Sequence, residues 1–450
     1  MFRFADIDGD QLMDAASCAV AGLQVWKGLG HGAFAPYVLY PPPSPWWGAR
    51  LDLADADGDG DLDALQTTFG PQSCSIMLND GNGAFGDGSA TAFPGGPPVG
   101  PYNFGRFVDL DGDGDSDIVL GAMPMRAFFN NGRGVFTEDP TAMPNVPQQT
   151  ADVEFADLDG DGDVDFVTAN GSWGPIEPDY AFFNDGRGHF HTYSTLHSRQ
   201  IPSLLVRTLD LEGDGDRDVL IVGINSQSLL LRNDGGGIFT DVSQRLSRWN
   251  SRSPSLIAAA VGDVDLDGDF DIVRSSGNVL YLDVNRGDGT FEPMSPEHFW
   301  GTPNFVVGQD GLYLLDVDQD GDLDLFFGHG LQTEIAWGAA THLQAPGAAT
   351  IGSNVTLRMF GFDGVATLAL CGPRLTVPLQ TPFGHLWLDP ATTVTDPALV
   401  LVPPSGLASR TLRVPNVAAL RGRFVHFQAF HFAPARAWMR LTNLAWVGLQ

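Results

Sequence analysis

Aspartates at every second position are the residues of this 450-residue chain most suited to binding a cation. The stretch DLDGDGDSD places five carboxylates between Asp109 and Asp117. Two unit charges about 5 Å apart, at an effective dielectric constant of about 20, repel each other by about 3 kcal/mol, so a compact loop of this kind needs a counter-charge. Carboxylate oxygens separated by glycines suit Ca²⁺ better than Mg²⁺ or transition metals. The stretch therefore predicts a calcium site.

The acidic stretch occurs seven times, at intervals of 48 to 54 residues. We predict up to seven Ca²⁺ ions, one for each acidic loop, held by the carboxylates at loop positions 1, 3, 5 and 9 and by the carbonyl oxygen at position 7. The loops contain 34 of the 55 acids, so the negative charge is concentrated in them. The candidate metal ligands are Asp6, Asp8, Asp10 and Asp14; Asp55, Asp57, Asp59, Asp61 and Asp63; Asp109, Asp111, Asp113, Asp115 and Asp117; Asp157, Asp159, Asp161, Asp163 and Asp165; Asp210, Glu212, Asp214, Asp216 and Asp218; Asp263, Asp265, Asp267, Asp269 and Asp271; and Asp316, Asp318, Asp320, Asp322 and Asp324.

Some loops depart from the common pattern. Position 6 is a glycine in six loops but Gln11 in the first, and position 3 of the fifth loop is the longer Glu212. The sixth and seventh loops have Leu266 and Gln319 at position 4. We expect these changes to alter affinity. A helical calcium hand is rejected, because position 12 of the third loop is Leu120 where that motif requires Glu, and the flanks are strand-like. Solvated acidic turns are the simplest alternative, and the charge repulsion argues against them.

The elements that position these loops are short strands. In the third repeat, GRFVD precedes the acidic loop and DIVLG follows it, whereas RAFFN and VFTE flank a glycine-rich turn. Such a turn, for example NDGNGAF at 79–85, trails each of the first six loops. Asn, Asp and Gly accept positive φ at low cost, which predicts a tight hairpin. Each repeat is thus predicted to contain four strands, although IAWGAATHL replaces the hairpin in the seventh.

Repeats of about 50 residues with four strands predict an all-β protein with a seven-bladed β-propeller over residues 1–342. Residues 343–450 form a second predicted domain, because their net charge is +5 whereas that of the first 342 residues is −36. The segment APGAAT at 345–350 is a predicted linker. The alternating apolar and polar runs beyond it predict a small antiparallel β-sandwich.

The seven repeats resemble the FG-GAP/VCBS repeats of secreted bacterial proteins and are similar to the propeller of integrin α subunits, over residues 1 to about 340. The resemblance implies that each acidic loop joins the first two strands of a blade and binds Ca²⁺ on the lower face. It also implies that ligands meet the upper face. The ending ARAWMRLTNLAWVGL resembles a C-terminal module of large exported bacterial proteins, for which surface attachment and passive packing both stay open.

Six aromatic residues fall in predicted inter-strand or inter-blade loops, which the family topology places on the upper face. Rings there can stack on sugars or anchor a protein partner. The alternative is that they fill the core between blades. These candidate ligand-binding residues are Trp46, Trp47, Tyr102, Trp173, Trp249 and Trp300.

The composition argues against several other functions. A net charge of −31 opposes binding to nucleic acid, which requires clustered Lys and Arg. No run of 18 uninterrupted apolar residues indicates a membrane span, and the start MFRFADIDGD shows no secretory signal. The motifs HExxH and GxSxG, a P-loop and a paired-cysteine metal site are absent, so we predict no catalytic residue and no enzyme activity.

These features predict an extracellular or cell-surface calcium-binding propeller that recognises a glycan or a protein ligand, or acts in adhesion. Extracellular calcium modules have dissociation constants of about 10⁻⁴ to 10⁻³ M, so such loops would be empty in a calcium-poor cytosol. The alternatives are a calcium-stabilised scaffold attached to the cell surface and a cryptic hydrolase.

Overall fold

A computed structural model describes most of the repeat region with side chains and, from residue 332 onward, only the backbone of strands. The ranges described before that point are 2–19, 21–30, 33–41, 50–68, 74–146, 149–171, 176–199, 201–223, 228–246, 257–265, 267–276, 279–294, 311–317 and 323–329.

Each of the first six repeats forms a four-stranded antiparallel sheet in which strands adjacent in sequence are adjacent in space. The first three sheets consist of Phe2–Ala5, Asp14–Ala19, Gly22–Trp26 and Val38–Tyr40; of Arg50–Ala54, Asp63–Thr67, Cys74–Asn79 and Phe85–Asp87; and of Gly105–Val108, Asp117–Leu120, Arg126–Phe129 and Thr137–Asp139. The next three consist of Thr150–Ala156, Asp165–Asn170, Tyr180–Phe183 and Thr192–Thr195; of Ser203–Leu209, Asp218–Gly223, Ser228–Asn233 and Phe239–Asp241; and of Ile257–Gly262, Asp271–Ser276, Val279–Asn285 and Phe291–Met294.

The seventh repeat contributes three described strands, Leu312–Leu315, Asp324–His329 and Gln332–Ala336. The helices among the described residues are one short α-helix, Ser89–Ala92, and one 3₁₀ turn, Ser243–Arg245. The predicted all-β class and the four strands per repeat are thus confirmed for the first six repeats. Every acidic loop joins the first and second strands of its sheet, as predicted.

The hydrophobic core lies between neighbouring sheets. The second strand of a sheet is the most buried, as in Asp165–Asn170, where all six residues are buried, whereas the fourth strand is largely exposed. One core cluster joins Leu65 and Ile76 of the second sheet to Ile118 and Phe128 of the third. Similar clusters join the first sheet to the second, the third to the fourth, the fourth to the fifth and the fifth to the sixth. A single four-stranded sheet could not bury both of its faces, so each sheet depends on its neighbours for stability.

The first strands of the sheets carry charges that alternate in sign from one repeat to the next. The residue three positions before the first Asp of the acidic loop is an arginine or an acid in the first five repeats: Arg3, Asp52, Arg106, Glu154 and Arg207. Arg3 Nε lies 2.7 Å from Asp52 Oδ1. Asp152, two residues before Glu154, accepts from both Arg106 (3.3 Å) and Arg207 (2.9 Å). Ion pairs therefore link the first strand of the first sheet to that of the second, and link those of the third, fourth and fifth sheets. The second and third are joined by the backbone N–H of Phe107, which donates to Asp52 Oδ2 at 2.9 Å.

The first and seventh sheets also contact each other. The ring of Phe4 lies 4.6 Å from that of Phe326, and the ring of Phe2 lies 5.2 Å from it, measured between centroids. The backbone N–H of Phe2 donates to the Tyr313 hydroxyl at 3.0 Å. Edge-to-face pairs of this kind contribute about 0.5–1.5 kcal/mol beyond the area they bury.

Beyond residue 342 the described strands form three further sheets. They are Leu343–Gln344, Asn354–Phe360 and Leu407–Arg413; Ala348–Ala349, Ala445–Leu449, Phe424–Ala433, Ala366–Gly372 and Val394–Thr395, with Val400–Leu401 and Trp438–Leu441 at their sides; and Arg374–Thr381 with Gly384–Leu388. The pairing is antiparallel except between Ala348–Ala349 and Ala445–Leu449. The predicted linker therefore contains a short strand. The division at residue 342 and the sandwich arrangement stay predictions.

Candidate metal centres

The last aspartate of each acidic loop is a buried residue that begins the second strand. In the third loop, Asp117 Oδ2 accepts the N–H of Leu110 at 2.9 Å and Oδ1 accepts the N–H of Asn130 at 2.7 Å. The position-9 carboxylates of the second, fourth, fifth and sixth loops each accept the two equivalent N–H groups of their own sheet. Position 9 therefore ties the acidic loop to the hairpin of the same sheet.

The asparagine that opens each hairpin joins neighbouring sheets. Asn130 Nδ2 donates to the carbonyl oxygen of Ala56, in the acidic loop of the preceding sheet, at 2.8 Å, and to that of Ser116 in its own sheet at 3.0 Å. Five hairpins share this link to the preceding sheet, through Asn79, Asn130, Asn184, Asn233 and Asn285. The sequence predicted these residues as part of a tight turn and not as links between sheets. The available signal was the recurrence of Asn at this one hairpin position, which Gly28 replaces in the first repeat.

In the first six loops, the first aspartate accepts N–H groups of the loop backbone. Asp109 accepts the N–H groups of Gly112 (2.9 Å) and Gly114 (3.1 Å), and Asp113 accepts that of Asp115 (3.0 Å). Gly114, at position 6, has φ of +93°, which side-chain-bearing residues adopt only with strain. In the first loop Gln11 occupies this position at φ of +70°.

Three carboxylate oxygens converge in five of the described loops, all within 4.8 Å of one another. In the second, third, fourth and sixth loops they belong to positions 1, 3 and 9, as in Asp109, Asp111 and Asp117; in the first loop they belong to Asp6, Asp8 and Asp10. In the second, third, fourth and sixth loops, the aspartate at position 5, a predicted ligand, is exposed and does not belong to the converging group. Of the acids of the seventh loop, Asp316 and Asp324 are described, whereas Asp318, Asp320 and Asp322 lie outside the described residues.

The position-7 carboxylates lie against the first glycine of their own hairpin. A Cβ built on Gly132 would fall 2.6 Å from Asp115 Oδ2, and the second, fourth and sixth sheets repeat this approach. Glycine at that hairpin position therefore leaves room for the acidic loop. This contact explains why the two sequence signatures occur together.

Burial and like charges raise the pKa of the position-9 carboxyls. The pKa rises to about 6 for Asp63 and Asp165, to about 7 for Asp117 and Asp218, and to about 8 for Asp271. Desolvation is the main cause in every case, and neighbouring loop aspartates add to it, whereas the accepted backbone N–H groups oppose it. A divalent cation would relieve the same repulsion.

The carboxylates at position 3 also fit a cation. Asp57 Oδ1 and Asp111 Oδ1 are buried and have no hydrogen-bond partner within the described part of the chain. Burial and the nearby loop aspartates raise the pKa of both groups. An unsatisfied buried carboxylate oxygen is costly, and a hard cation accepts ligands of this type. The donor set is therefore suited to Ca²⁺.

The predicted ligand-binding aromatics have different outcomes. Trp46, Trp47, Trp173, Trp249 and Trp300 lie outside the described residues. Tyr102 is fully buried in the core between the second and third sheets, and its hydroxyl accepts from Arg126 Nη1 at 2.6 Å. No face of its ring is open to a ligand, so the expected ligand contact at Tyr102 is corrected to a core position.

A cavity of about 320 Å³ opens beside the fourth acidic loop, at the acidic-loop end of the sheets. Its lining includes Asp159, Phe183, Asp185, His189 and His191. The two imidazole rings stack with centroids 5.7 Å apart at 23°. Small-ligand sites are lined mainly by apolar and aromatic side chains, whereas this lining is mostly polar.

Comparison with known families identifies the repeats. The FG-GAP-like repeat matches residues 6–65, 109–168, 210–274 and 263–327, together just over half of the chain. The chain therefore belongs to the FG-GAP-like repeat family. The likeness to VCBS repeats and that of the C-terminal stretch to exported proteins stay predictions. Among the described residues, no helix has the length and hydropathy of a membrane-spanning segment.

Two solved structures show partial similarity. One is a lectin of Agrocybe aegerita, solved to explain its recognition of non-reducing terminal N-acetylglucosamine, with 21% identity and a TM-score of 0.47 over 65% of this chain and 78% of that chain. The other is the Tc holotoxin pore of Photorhabdus luminescens, with 15% identity and a TM-score of 0.36 over 96% of this chain and 19% of that chain. At these scores neither similarity identifies a function. None of the curated protein sequences matches this chain.

Proposed function

We propose that this chain is a calcium-stabilised β-propeller that serves as an extracellular recognition or adhesion module. The observation that supports the proposal best is the convergence of three carboxylate oxygens within 4.8 Å in loop after loop, at the end of the sheets where neighbours are joined. Calcium there would neutralise the repulsion within each loop and strengthen the junctions between sheets.

A closed ring of seven blades is part of this proposal. The contacts of Phe2 and Phe4 with Tyr313 and Phe326 support it, because they bring the two ends of the repeat region together. The ion pairs between successive first strands support the same arrangement, with these strands around the central axis.

A calcium titration of the chelator-treated full chain tests the metal part of the proposal. The melting temperature and the metal content are measured together, with Mg²⁺ as the matched control. We expect several equivalents of bound calcium and a large rise in melting temperature, because each site would add about 2.7 kcal/mol at a hundredfold excess over its Kd. Identical melting in calcium and in chelator, with no metal bound, contradicts the proposal.

The ligand of the module is proposed to be a glycan or a protein surface. A glycan array probed with and without chelator tests the first class directly. Two variants then locate the site: Trp46→Ala with Trp47→Ala for the predicted upper face, and His191→Ala for the cavity beside the fourth loop. If a variant loses binding and keeps its melting temperature, the site lies in the region of the altered residues. If binding and melting fall together, the altered residues support the fold and do not form the site.

We further propose that the module binds without catalysing a reaction and acts where calcium is abundant. The absence of the common hydrolase motifs from the sequence supports the first point. The modest affinity expected of extracellular calcium modules supports the second. A calcium-dependent scaffold without a ligand is the alternative, and it is favoured if no glycan or protein binds while calcium still raises the melting temperature.

A further inference from the structure

The first acidic loop already contains a cation supplied by the chain itself. Lys27 Nζ lies 2.8 Å from Asp8 Oδ2, the carboxylate at position 3. The same ammonium donates to the carbonyl oxygen of Asn82 in the hairpin of the second sheet. One positive charge therefore offsets that of the position-3 carboxylate and joins the loop to the next sheet.

The fifth loop has an equivalent arrangement built from another segment. Arg245, in the 3₁₀ turn after the fourth strand, lies 2.8 Å through Nη1 from Glu212 Oε1, again at position 3. Its second acceptor is the carbonyl oxygen of Gly289, at 3.2 Å, in the hairpin of the sixth sheet. A Cβ on Gly289 would lie 2.5 Å from Nη1, so this glycine leaves space for the guanidinium.

The intervening loops contain apolar groups where the first contains Lys27. The residue before the hairpin asparagine is Leu78 in the second repeat, Phe129 in the third and Phe183 in the fourth. The Phe129 ring lies against Gly188 of the next hairpin, and the Phe183 ring lies against Gly237. The ion pairs of the described residues include no basic partner for the position-3 carboxylates of these three loops.

The set of carboxylates that converge also distinguishes the first and fifth loops from the others. The second, third, fourth and sixth loops bring positions 1, 3 and 9 together, whereas the first combines positions 1, 3 and 5 and has Leu12 in place of the acid at position 7. The fifth loop is fully described and is not among the five groups with oxygens within 4.8 Å. The longer side chain of Glu212 is directed to Arg245 instead.

We propose that Lys27 and Arg245 are built-in cations that take the place of calcium in the first and fifth loops. The inference rests on the proposed function, because it assumes that the other loops bind calcium. An ammonium or guanidinium bonded to one oxygen of the position-3 carboxylate occupies that ligand oxygen and repels a second cation. The other oxygen, Asp8 Oδ1 or Glu212 Oε2, has no hydrogen-bond partner among the described residues, as in the second and third loops, so the difference between the loops lies in the added charge. The first–second and fifth–sixth junctions therefore stay tied at low calcium, and the chain binds fewer than seven ions.

Reciprocal substitutions in the full chain test this inference by metal content and calorimetric stoichiometry. Lys27→Leu copies the second repeat, and we expect it and Arg245→Met each to add one calcium per chain. Phe129→Lys installs a cation beside the third loop, and we expect it to remove one. Lys27→Arg preserves the charge and is the matched control, with an unchanged count.

A second series gives an answer even if those variants fold poorly. Asp8→Asn and Glu212→Gln are expected to leave the calcium count of the wild-type chain unchanged, whereas Asp111→Asn lowers it by one. A wild-type chain that binds seven ions, or a count that falls in Asp8→Asn and Glu212→Gln, overturns the built-in cations and leaves the proposed function intact. A wild-type chain that binds no calcium overturns both.

Discussion

The two ends of the sheets are held together in different ways. At the acidic-loop end, the same aspartate and the same hairpin asparagine connect the strands and the neighbouring sheets in five consecutive repeats. At the opposite end, each junction has its own contacts. Between the fourth and fifth sheets, Asp179 accepts from Ser203 at 2.6 Å and lies 2.7 Å from the buried His197. Between the third and fourth, Asn103 Nδ2 donates to the carbonyl oxygen of Thr150 at 2.7 Å.

This difference indicates which end can change without loss of the fold. A network repeated in five consecutive units sets the register of loop against hairpin and of sheet against sheet, so most single changes there act on stability. Among the described residues, the contacts at the opposite end differ from one junction to the next, as those of Asp179 and Asn103 show. Surfaces of that kind are where binding functions are usually found on repeat scaffolds.

The largest expected effect comes from removing the position-9 carboxylate at the acidic-loop end. Asp117→Ala leaves the buried N–H group of Leu110 and the partly buried N–H group of Asn130 without acceptors, at about 1–3 kcal/mol for a buried group. We expect a loss of about 3 kcal/mol or more in the free energy of unfolding, measured by urea denaturation in excess calcium. Asp113→Ala, at an exposed loop position, is the control and should cost far less. Equal losses in the two variants contradict the structural role of position 9.

The hairpin asparagine is expected to have the next largest effect. Asn184 donates to Leu110 and Val164 and accepts the N–H groups of Gly186 and Gly188. Asn184→Ala should lower the free energy of unfolding by about 2 kcal/mol, because buried partners lose their hydrogen bonds. Asp185→Ala changes the adjacent exposed residue and should cost less than about 1 kcal/mol. A neutral Asn184→Ala would show that packing alone holds neighbouring sheets.

The pH dependence of stability should arise mainly at the acidic-loop end, so it distinguishes the two ends of the sheets in the wild-type chain. The raised pKa values of the position-9 carboxyls, about 6 to 8, mean that the metal-free folded chain binds protons that the unfolded chain has released. This contribution to stability is complete below the unfolded pKa of about 4 and is lost as the pH rises through 6 to 8. In chelator, we expect the melting temperature to fall between pH 5.5 and 8.

Excess calcium should reduce or reverse that trend, because the ion replaces the protons and binds best to ionised loops. Amide exchange can then locate the effect, with the hairpin N–H groups of Asn130 and Asn184 protected by calcium more than amides at the opposite end. A metal-free chain whose melting temperature rises from pH 5.5 to 8 contradicts the pKa assignment.

The sequence was sufficient for the features that repeat within a unit. Alternating aspartates predicted the loops, the Asn-Gly signature predicted the hairpins, and the apolar runs predicted the strands, because each pattern is local. Contacts between units were not predictable in this way. The link from Asn130 to Ala56 and that from Lys27 to Asn82 depend on which groups face each other across two packed sheets. Tyr102 was expected on a surface and is buried, because its ring fills space that only the assembled pair of sheets creates.

The smallest expected effect comes from the one loop that departs from the pattern at position 6. Gln11 has φ of +70°, where glycine is used in the other loops, and a left-handed conformation costs a side-chain-bearing residue about 1 kcal/mol. Its backbone N–H donates to Asp6 Oδ2 at 2.8 Å, and glycine preserves that bond. Gln11→Gly should therefore raise the free energy of unfolding by up to about 1 kcal/mol, less the greater flexibility of the unfolded chain. Gly114→Gln in the third loop is the matched reverse change and should destabilise by a similar amount. If Gln11→Gly destabilises instead, the side chain of Gln11 makes contacts that outweigh the backbone strain, and the first loop differs from the others in more than its cation.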